Sequence, residues 1–491
     1  MAITRRQFVT RLGALAAALG MSQADLSKVT EAFAHGGAWA GGNWTKKPKV
    51  IWVHGAECTG DSTSLLSLFE DVRAPAIEGL NVSTLAALDV VAGGSGDGTQ
   101  VTRNPYLVNG VADPHPFGHR TVVNSATVTG CDFDKVANST GSANDGAYIA
   151  NIADVLIDFL DLQYHETVMG MGGDQAFQWL FDNMASGSHD PFVLVVEGSV
   201  QDSANNGYWN KTGPISWCSI GADGTNDGTH DGWGWVNDFD VVVASLATQA
   251  NCAAVVAIGQ CASFGGYPAC ISPVLKVDGT DLNVQSGHTK GSMTDAKGVY
   301  DFLNQYAGSA HVTADAAHAA ANKVVNVPGC PTNPWWFVLT VVAWLVDFAT
   351  IGASPNSTGM LGVLARDGSG NLGFNGAAVD SSRRLKAVYG TPIHGPACPR
   401  YQDYLNGTFA AQPGDSGCLQ LIGCKGPSTN SLCAVHGWNS MQPHNDATWE
   451  HGVASMVNGG RSGSFCVASG HPCMGCAEQG YPDKVVPFVV R

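Results

Sequence analysis

The sequence predicts an α/β protein: a doubly wound parallel sheet followed by an irregular, ligand-organised C-terminal domain. Short apolar runs alternating with helical patterns predict the sheet, and a tail dense in cysteine predicts the second domain. The first run, residues 49–53, leads into the loop His54-Gly-Ala-Glu-Cys58. Residues 192–196 form the second and stop at Glu197-Gly198, residues 252–258 the third, stopping at Gly259-Gln260-Cys261. The fourth, 323–327, stops at Pro328-Gly329-Cys330. Helical periodicity lies between them, over 149–160 and 241–250. Buried strands separated by helices build parallel sheets, and such sheets collect ligands beyond the carboxyl ends of their strands. Three cysteines stand at those ends.

Residues 335–346 are apolar except for Thr340. That is short of the ~20 residues a spanning helix needs, so the stretch reads as a buried helix opened by Asn333-Pro334. The sheet domain is expected over 49–352. Residues 91–146 and 276–310 are polar and read as surface insertions. Met169 and Met171 read as core packing, and Glu57 and Glu197 as loop hydrogen-bonding groups.

The formal charge of −16 excludes a nucleic-acid partner, because phosphate backbones demand basic surfaces. Fourteen cysteines are too many for an inert cytosolic enzyme and too few for a disulfide scaffold, which runs above ~8–10%. Near the N-terminus, Thr4-Arg5-Arg6-Gln7-Phe8 precedes a mildly apolar stretch, and Ala32-Phe33-Ala34 offers a small-residue cleavage site. Residues 1–34 therefore read as a twin-arginine export signal, with 35–48 as a linker. The expected location is the periplasm or the outer face of the cytoplasmic membrane, with no anchor of the chain's own.

From about Arg383 periodicity fades. His394-Gly-Pro-Ala-Cys398, Cys418, Cys424, Cys433, Cys466 and the run Cys473-Met-Gly-Cys476 supply eight soft or borderline donors, enough for two four-ligand sites. Thiolates gathered this way bind iron–sulfur clusters or zinc, or close disulfides. Cys473-Met-Gly-Cys476 taken alone has zinc spacing. Of the remaining cysteines, Cys252 opens an apolar strand and reads as a buried thiol. Cys131, Cys218 and Cys270 fall in loops and could pair in an oxidising compartment.

The ordered motifs resemble the small, electron-transferring subunit of [NiFe] hydrogenases. They are His54-Gly-Ala-Glu-Cys58, Tyr164-His-Glu-Thr167, Val196-Glu-Gly198, Gly259-Gln-Cys261, Asn326-Val-Pro-Gly-Cys330-Pro, Gly423-Cys-Lys-Gly-Pro427 and Gly470-His-Pro-Cys-Met-Gly-Cys476. The resemblance implies a flavodoxin-like domain with a proximal cluster, then a C-terminal domain (383–491) with a medial and a distal one. It assigns Cys58, Cys261 and Cys330 to the proximal cluster. Asp61 stands where the family usually has its fourth cysteine, as in a few members linked with aerobic hydrogen scavenging. Gly60 and Gly266 occupy the positions of the extra cysteines of oxygen-tolerant members. The distal set is His394, Cys398, Cys418 and Cys424, with three residues between His394 and Cys398 where the family usually has two. The medial set is Cys433, Cys466, Cys473 and Cys476. Cys466 replaces a usual proline, so three [4Fe–4S] clusters are expected, with a [3Fe–4S] medial cluster as the alternative.

The implied partners are a [NiFe] hydrogenase large subunit, in a hetero-oligomer, and a cytochrome or quinone-linked acceptor. Two other readings stay open: an iron–sulfur subunit of a different redox complex, and an exported binding protein stapled by zinc or disulfides. Iron and acid-labile sulfide in the purified protein separate them. Three cubanes require about twelve irons in this chain, and a stapled protein requires none.

Overall fold

The computed structural model describes chiefly residues 49–66, 161–172, 192–202, 218–221, 236–270, 295–309, 312–359, 362–438 and 465–482, with short pieces elsewhere. Most of the expected signal segment, the 35–48 linker, most of 91–146, and Cys131 lie outside the described residues. The chain divides into two compact units, residues 1–39 with 65–161, and residues 40–64 with 162–491. The central sheet from Leu162 onward, its first strand and the cysteine-rich tail all belong to the second.

Five strands form the central sheet: β1 (Lys49–His54), β2 (Asp161–His165), β3 (Phe192–Glu197), β4 (Cys252–Ile258) and β5 (Val324–Val327). They stand in the order β5-β4-β3-β1-β2. β3 pairs in parallel with both β1 and β4, and β4 with β5, placing Leu194 beside Ile51 and Val255. This is the flavodoxin-like order, whose switch point lies between its first and third strands. All six residues of β3 are buried, as a parallel strand covered on both faces requires.

Helices α1 (Gly60–Leu66), α2 (Phe239–Thr248), α3 (Gly259–Phe264), α4 (Val299–Gln305), α5 (Ala314–Ala321) and α6 (Pro334–Thr350) follow in chain order. Thr313 caps α5 by accepting the Ala316 amide at 3.3 Å. α6 is the expected buried helix, begun by Pro334, with Trp336, Phe337, Val341 and Trp344 in the core. The buried Asp347 accepts the amides of Val363 and Leu364 and ties α6 to the hairpin Leu364–Arg366/Leu372–Phe374. No described helix is long and apolar enough to cross a membrane.

Three expectations need correction. Residues 276–310 are not all a surface insertion, because α4 lies inside them and buries Val299, Phe302 and Leu303 completely. The i, i+3, i+4 spacing of those three residues is a helix signal that the polar surroundings conceal. Ile149 and Ala150 are extended rather than helical, pairing with Thr4 and Ile3, while 151–160 lie outside the described residues. Met171 is 43% exposed and not core, whereas Met169 does pack against the core.

Among its described residues the tail has short helices, α7 (Lys386–Tyr389), α8 (Tyr401–Leu405) and α9 (Cys433–His436), joined by turns. It is sewn to the β5 edge. Asn326 donates from its amide to the Arg383 carbonyl and from its side chain to the Ser382 carbonyl, both at 2.9 Å, and Arg383 Nε donates to Val324 at 2.7 Å. The buried Arg384 pairs with Asp380 at 2.9 Å and Glu478 at 3.1 Å, clamping both ends of the tail.

Removing the aromatic ring from α4 tests its place in the core. Phe302→Ala is expected to cost about 3–5 kcal/mol and to lower the thermal unfolding midpoint of the purified protein. An unchanged midpoint would return this segment to the surface.

Candidate functional site

The carboxyl ends of β1, β4 and β5 carry Cys58, Cys261 and Cys330, and the fold brings them together with Asp61. The loop after β1 is zipped to the loop after β3. Ala56 and Ser199 exchange amide–carbonyl bonds at 3.1 Å, and Gly55 donates to Glu197 at 2.7 Å. Glu197, wholly buried, then reaches the start of α1. Its Oε1 accepts the amides of Asp61 at 3.0 Å and Ser62 at 3.1 Å, and its Oε2 accepts the Ser62 hydroxyl and Trp52 Nε1. Asp61 is thereby aimed at the β5 loop, where its Oδ1 accepts the Thr332 amide at 2.6 Å. That loop is held in turn by Tyr389, whose hydroxyl donates to Pro328 at 2.8 Å, and by the Gln260 amide, which donates to Gly329 at 2.7 Å.

Glycines clear room for these donors. A Cβ at Gly259 (φ +83°) would sit within van der Waals overlap of Asp61 Oδ2. One at Gly266 (φ +53°) would lie 2.6 Å from Cys261 Sγ, and one at Gly60 3.0 Å from Cys58 Sγ. Burial, then the neighbouring Cys330 and Asp61, push the Cys261 thiol up to about 12. Burial, then Asp61 and Cys58, push Cys330 up to about 11. Burial and the Glu197 carboxylate raise Asp61 well above the ordinary carboxylate range. Four mutually facing acids of this kind ionise together only around a strong positive charge. Soft thiolates and glycine notches fit iron–sulfur iron; the carboxylate is the one hard donor.

The tail forms two further groups. Burial raises the Cys476 thiol far above its usual value, and Cys433, Cys466, Cys473 and Cys330 add to it. The four expected medial residues are therefore neighbours, and Cys330 adjoins them. Cys433 is pushed up to about 12 by burial, although Ser431, whose hydroxyl lies 3.2 Å from its Sγ, opposes this. In the third group, burial, then Cys424 and Cys418, raise Cys398 to about 11. The main chain of His394 joins this group, its amide donating to Gly426 beside Cys424 at 3.2 Å. The His394 ring stands edge-on to Tyr404 at 4.5 Å and Tyr401 at 5.3 Å.

The three groups lie in series. On one side Cys330 is near enough to Cys476 to add to the rise of its thiol pKa, and on the other the Cys473 amide donates to Cys424 Sγ at 3.3 Å. Lys425 returns a bond to the Cys473 carbonyl at 2.9 Å.

A single zinc ion with Zn–S near 2.3 Å would draw its thiolates to about 3.8 Å apart. Among the described residues, the group of three His, Cys, Asp or Glu side chains with ligand atoms within 4.8 Å of one another is His54, Glu57 and Glu197, and no cysteine set is that tight. Cys218 and Cys252 are free thiols, and Cys252 is buried in its strand.

Sequence reasoning missed the polar network behind the proximal group. His54 Nδ1 lies 3.0 Å from Glu57 Oε1, and His165 Nε2 lies 3.2 Å from the Ser62 hydroxyl. Burial lowers the His54 pKa, but the Glu57 hydrogen bond and the Glu197 and Glu166 charges outweigh it and leave it raised. Burial, then His54, lowers His165 to about 3. The switch-point position of Glu197 was the available signal.

A parallel sheet with thiols at its carboxyl edge, continued by a thiol-rich module, defines an iron–sulfur electron-transfer protein. The family model described as NADH ubiquinone oxidoreductase, 20 Kd subunit, matches residues 146–344, and the model for the C-terminal part of the NiFe/NiFeSe hydrogenase small subunit matches 389–448. The periplasmic [NiFeSe] hydrogenase small subunit of Desulfomicrobium baculatum is 26% identical over 490 residues, covering 100% of this chain and 99% of that protein. The periplasmic [NiFe] hydrogenase small subunit 1 of Nitratidesulfovibrio vulgaris is 23% identical, covering 99% and 93%. The solved [NiFeSe] hydrogenase from Desulfovibrio vulgaris Hildenborough shares the fold, with a TM-score of 0.50 over 91% of this chain and 98% of its own, at 23% identity. Over its whole length the chain is thus similar to the small subunits of [NiFe]- and [NiFeSe]-type hydrogenases.

Filling the notch beside Asp61 tests the site. Gly259→Ala is expected to expel the carboxylate and reduce iron by up to about four per chain, read by metal analysis. Full iron retention with an unaltered cluster spectrum would contradict the placement.

Proposed function

We propose that this chain is the electron relay of an exported [NiFe]-type hydrogenase, holding three iron–sulfur clusters in series. The observation that carries this reading is the gathering of three donor groups, two of them joined by the Cys473 amide on Cys424 Sγ at 3.3 Å. Bound there, the clusters supply one-electron storage sites between the hydrogen-splitting centre and an acceptor. Cys58, Asp61, Cys261 and Cys330 hold the proximal [4Fe–4S] cluster. Cys433, Cys466, Cys473 and Cys476 hold the medial one as a cubane, since a fourth thiolate completes the corner. His394, Cys398, Cys418 and Cys424 hold the distal one, where a neutral imidazole in place of a thiolate eases reduction.

The mouth of the proximal group supports a covering partner. Cys58 is exposed, while His54 Nε2 and Glu57 Oε2 beside it are buried without a hydrogen-bond partner. The large subunit bearing nickel and iron covers the end where Cys58 is exposed, and an external cytochrome or quinone-linked carrier takes electrons from the distal end. The twin arginines and the periplasmic relatives support export by the Tat route, with residues 1–34 as the signal. The sheet alone would suit a subunit of another redox complex, but that match ends at residue 344 and leaves the tail without a role.

Asp61 gives the decisive test in the two-subunit enzyme. Asp61→Cys is expected to keep all iron and hydrogen oxidation while shifting the proximal potential. Asp61→Ala is expected to lose proximal iron and slow hydrogen-dependent dye reduction by at least tenfold, about 1.4 kcal/mol. An Asp61→Ala enzyme with unchanged iron, potential and rate would remove Asp61 from the ligands. A preparation with no large subunit and no cluster would remove the function.

A further inference from the structure

Ser431 lies two residues before Cys433, the first of the medial set, and both are buried. Its hydroxyl donates to Cys433 Sγ at 3.2 Å. The main chain holds that hydroxyl in place, because residues 429–431 run antiparallel to 391–393. The Ile393 amide donates to Thr429 at 2.8 Å, the Ser431 amide donates to Thr391 at 3.0 Å, and Pro392 pairs with Asn430. The Asn430 amide donates to Glu478 Oε1 at 2.6 Å, which anchors the segment to the Arg384 clamp. Thr429, on the same segment, makes a contrast. Its oxygen lies 3.6 Å from Cys473 Sγ, but its own proton goes to the Lys425 carbonyl at 2.7 Å. Of these two hydroxyls, that of Ser431 is the one that gives its proton to a sulfur.

A ligating thiolate carries no proton and can only accept, and a serine hydroxyl has one proton to give. The Ser431–Cys433 bond therefore keeps its direction when the thiol ionises, and it strengthens as the acceptor becomes charged. We propose that Ser431 sets the potential of the medial cluster, as a positioning residue that holds a hydrogen bond on Cys433 Sγ. A hydrogen bond to a ligand sulfur stabilises the more negative, reduced cluster and raises its potential. The use of such a bond follows from Cys466. A fourth thiolate adds negative charge to the medial set, and net charge makes a cluster harder to reduce. The Ser431 hydroxyl opposes that charge in a buried site, where a hydrogen bond is electrostatically stronger than in water.

This inference rests on the medial cluster proposed above, and the experiment keeps the two apart. Wild type, Ser431→Ala, Ser431→Thr and Ser431→Val are purified as the two-subunit enzyme, assayed for iron, and titrated reductively with EPR detection, the distal signal serving as internal reference. The expected result is full iron content in all four and a lowered medial midpoint in Ser431→Ala and Ser431→Val. Ser431→Thr, which keeps the hydroxyl, is expected to return the midpoint toward that of wild type. An iron-complete Ser431→Ala with an unshifted medial midpoint overturns the inference. Should Ser431→Ala fail to assemble, Ser431→Val against Ser431→Thr decides, because the two share a shape and differ in the hydroxyl; equal midpoints there overturn the inference equally. Loss of medial iron in every variant makes Ser431 a residue of the fold alone and overturns it too. A wild type without a medial signal overturns the cluster assignment instead.

Discussion

A single carboxylate at the switch point, that of Glu197, joins the first and third strands to the helix that presents the proximal ligands. Burying a charged carboxylate costs several kcal/mol unless its lone pairs are met. Glu197 has four donors, two of them amides at the start of α1, one the Ser62 hydroxyl and one the Trp52 indole. Those bonds set where Asp61 begins and hence where its side chain points. They also place a second negative group behind the cluster site, which raises Asp61 and makes bound iron the natural countercharge. The same interaction thus shapes the loop and prepares its electrostatics.

Much of this was legible in the sequence. Four of the five strands are runs of Val, Ile, Leu and Ala that end in glycine, and their parallel pairing follows from being buried on both faces. The cysteines declared the sites because soft donors are rarely spent elsewhere at such density. The edge strand β2 was overlooked although Asp161-Leu-Gln-Tyr-His165 alternates polar and apolar residues, because five residues with no β-branched side chain make a weak strand signal. Helix α4 was masked by the polar residues around Val299, Phe302 and Leu303. Glu197 read correctly as a loop hydrogen-bonding group, yet its partners Asp61 and Ser62 did not show, because they lie more than a hundred residues away and no local pattern encodes a contact that the topology creates.

The tail illustrates how ligands can replace secondary structure. Helices α7, α8 and α9 are one turn each, too short to be stable alone. What orders the tail is the buried Arg384 clamp, the seam along β5, and the donor sets themselves. The metal sites of such a module are part of its folding free energy. On the relay reading proposed above, the tail orders only as its clusters are inserted.

One small contact links two sites in a further way. Cys473 belongs to the medial set, yet its amide donates to the sulfur of Cys424 in the distal set. Added negative charge on Cys424 tightens that bond and polarises the Cys473 peptide, whose own sulfur then feels the change. Neighbouring centres coupled like this do not fill independently; charge on one disfavours charge on the other, and their midpoints belong to the pair. In the proposed relay that penalty is reciprocal, so a single backbone hydrogen spaces the two midpoints apart without favouring either direction of flow.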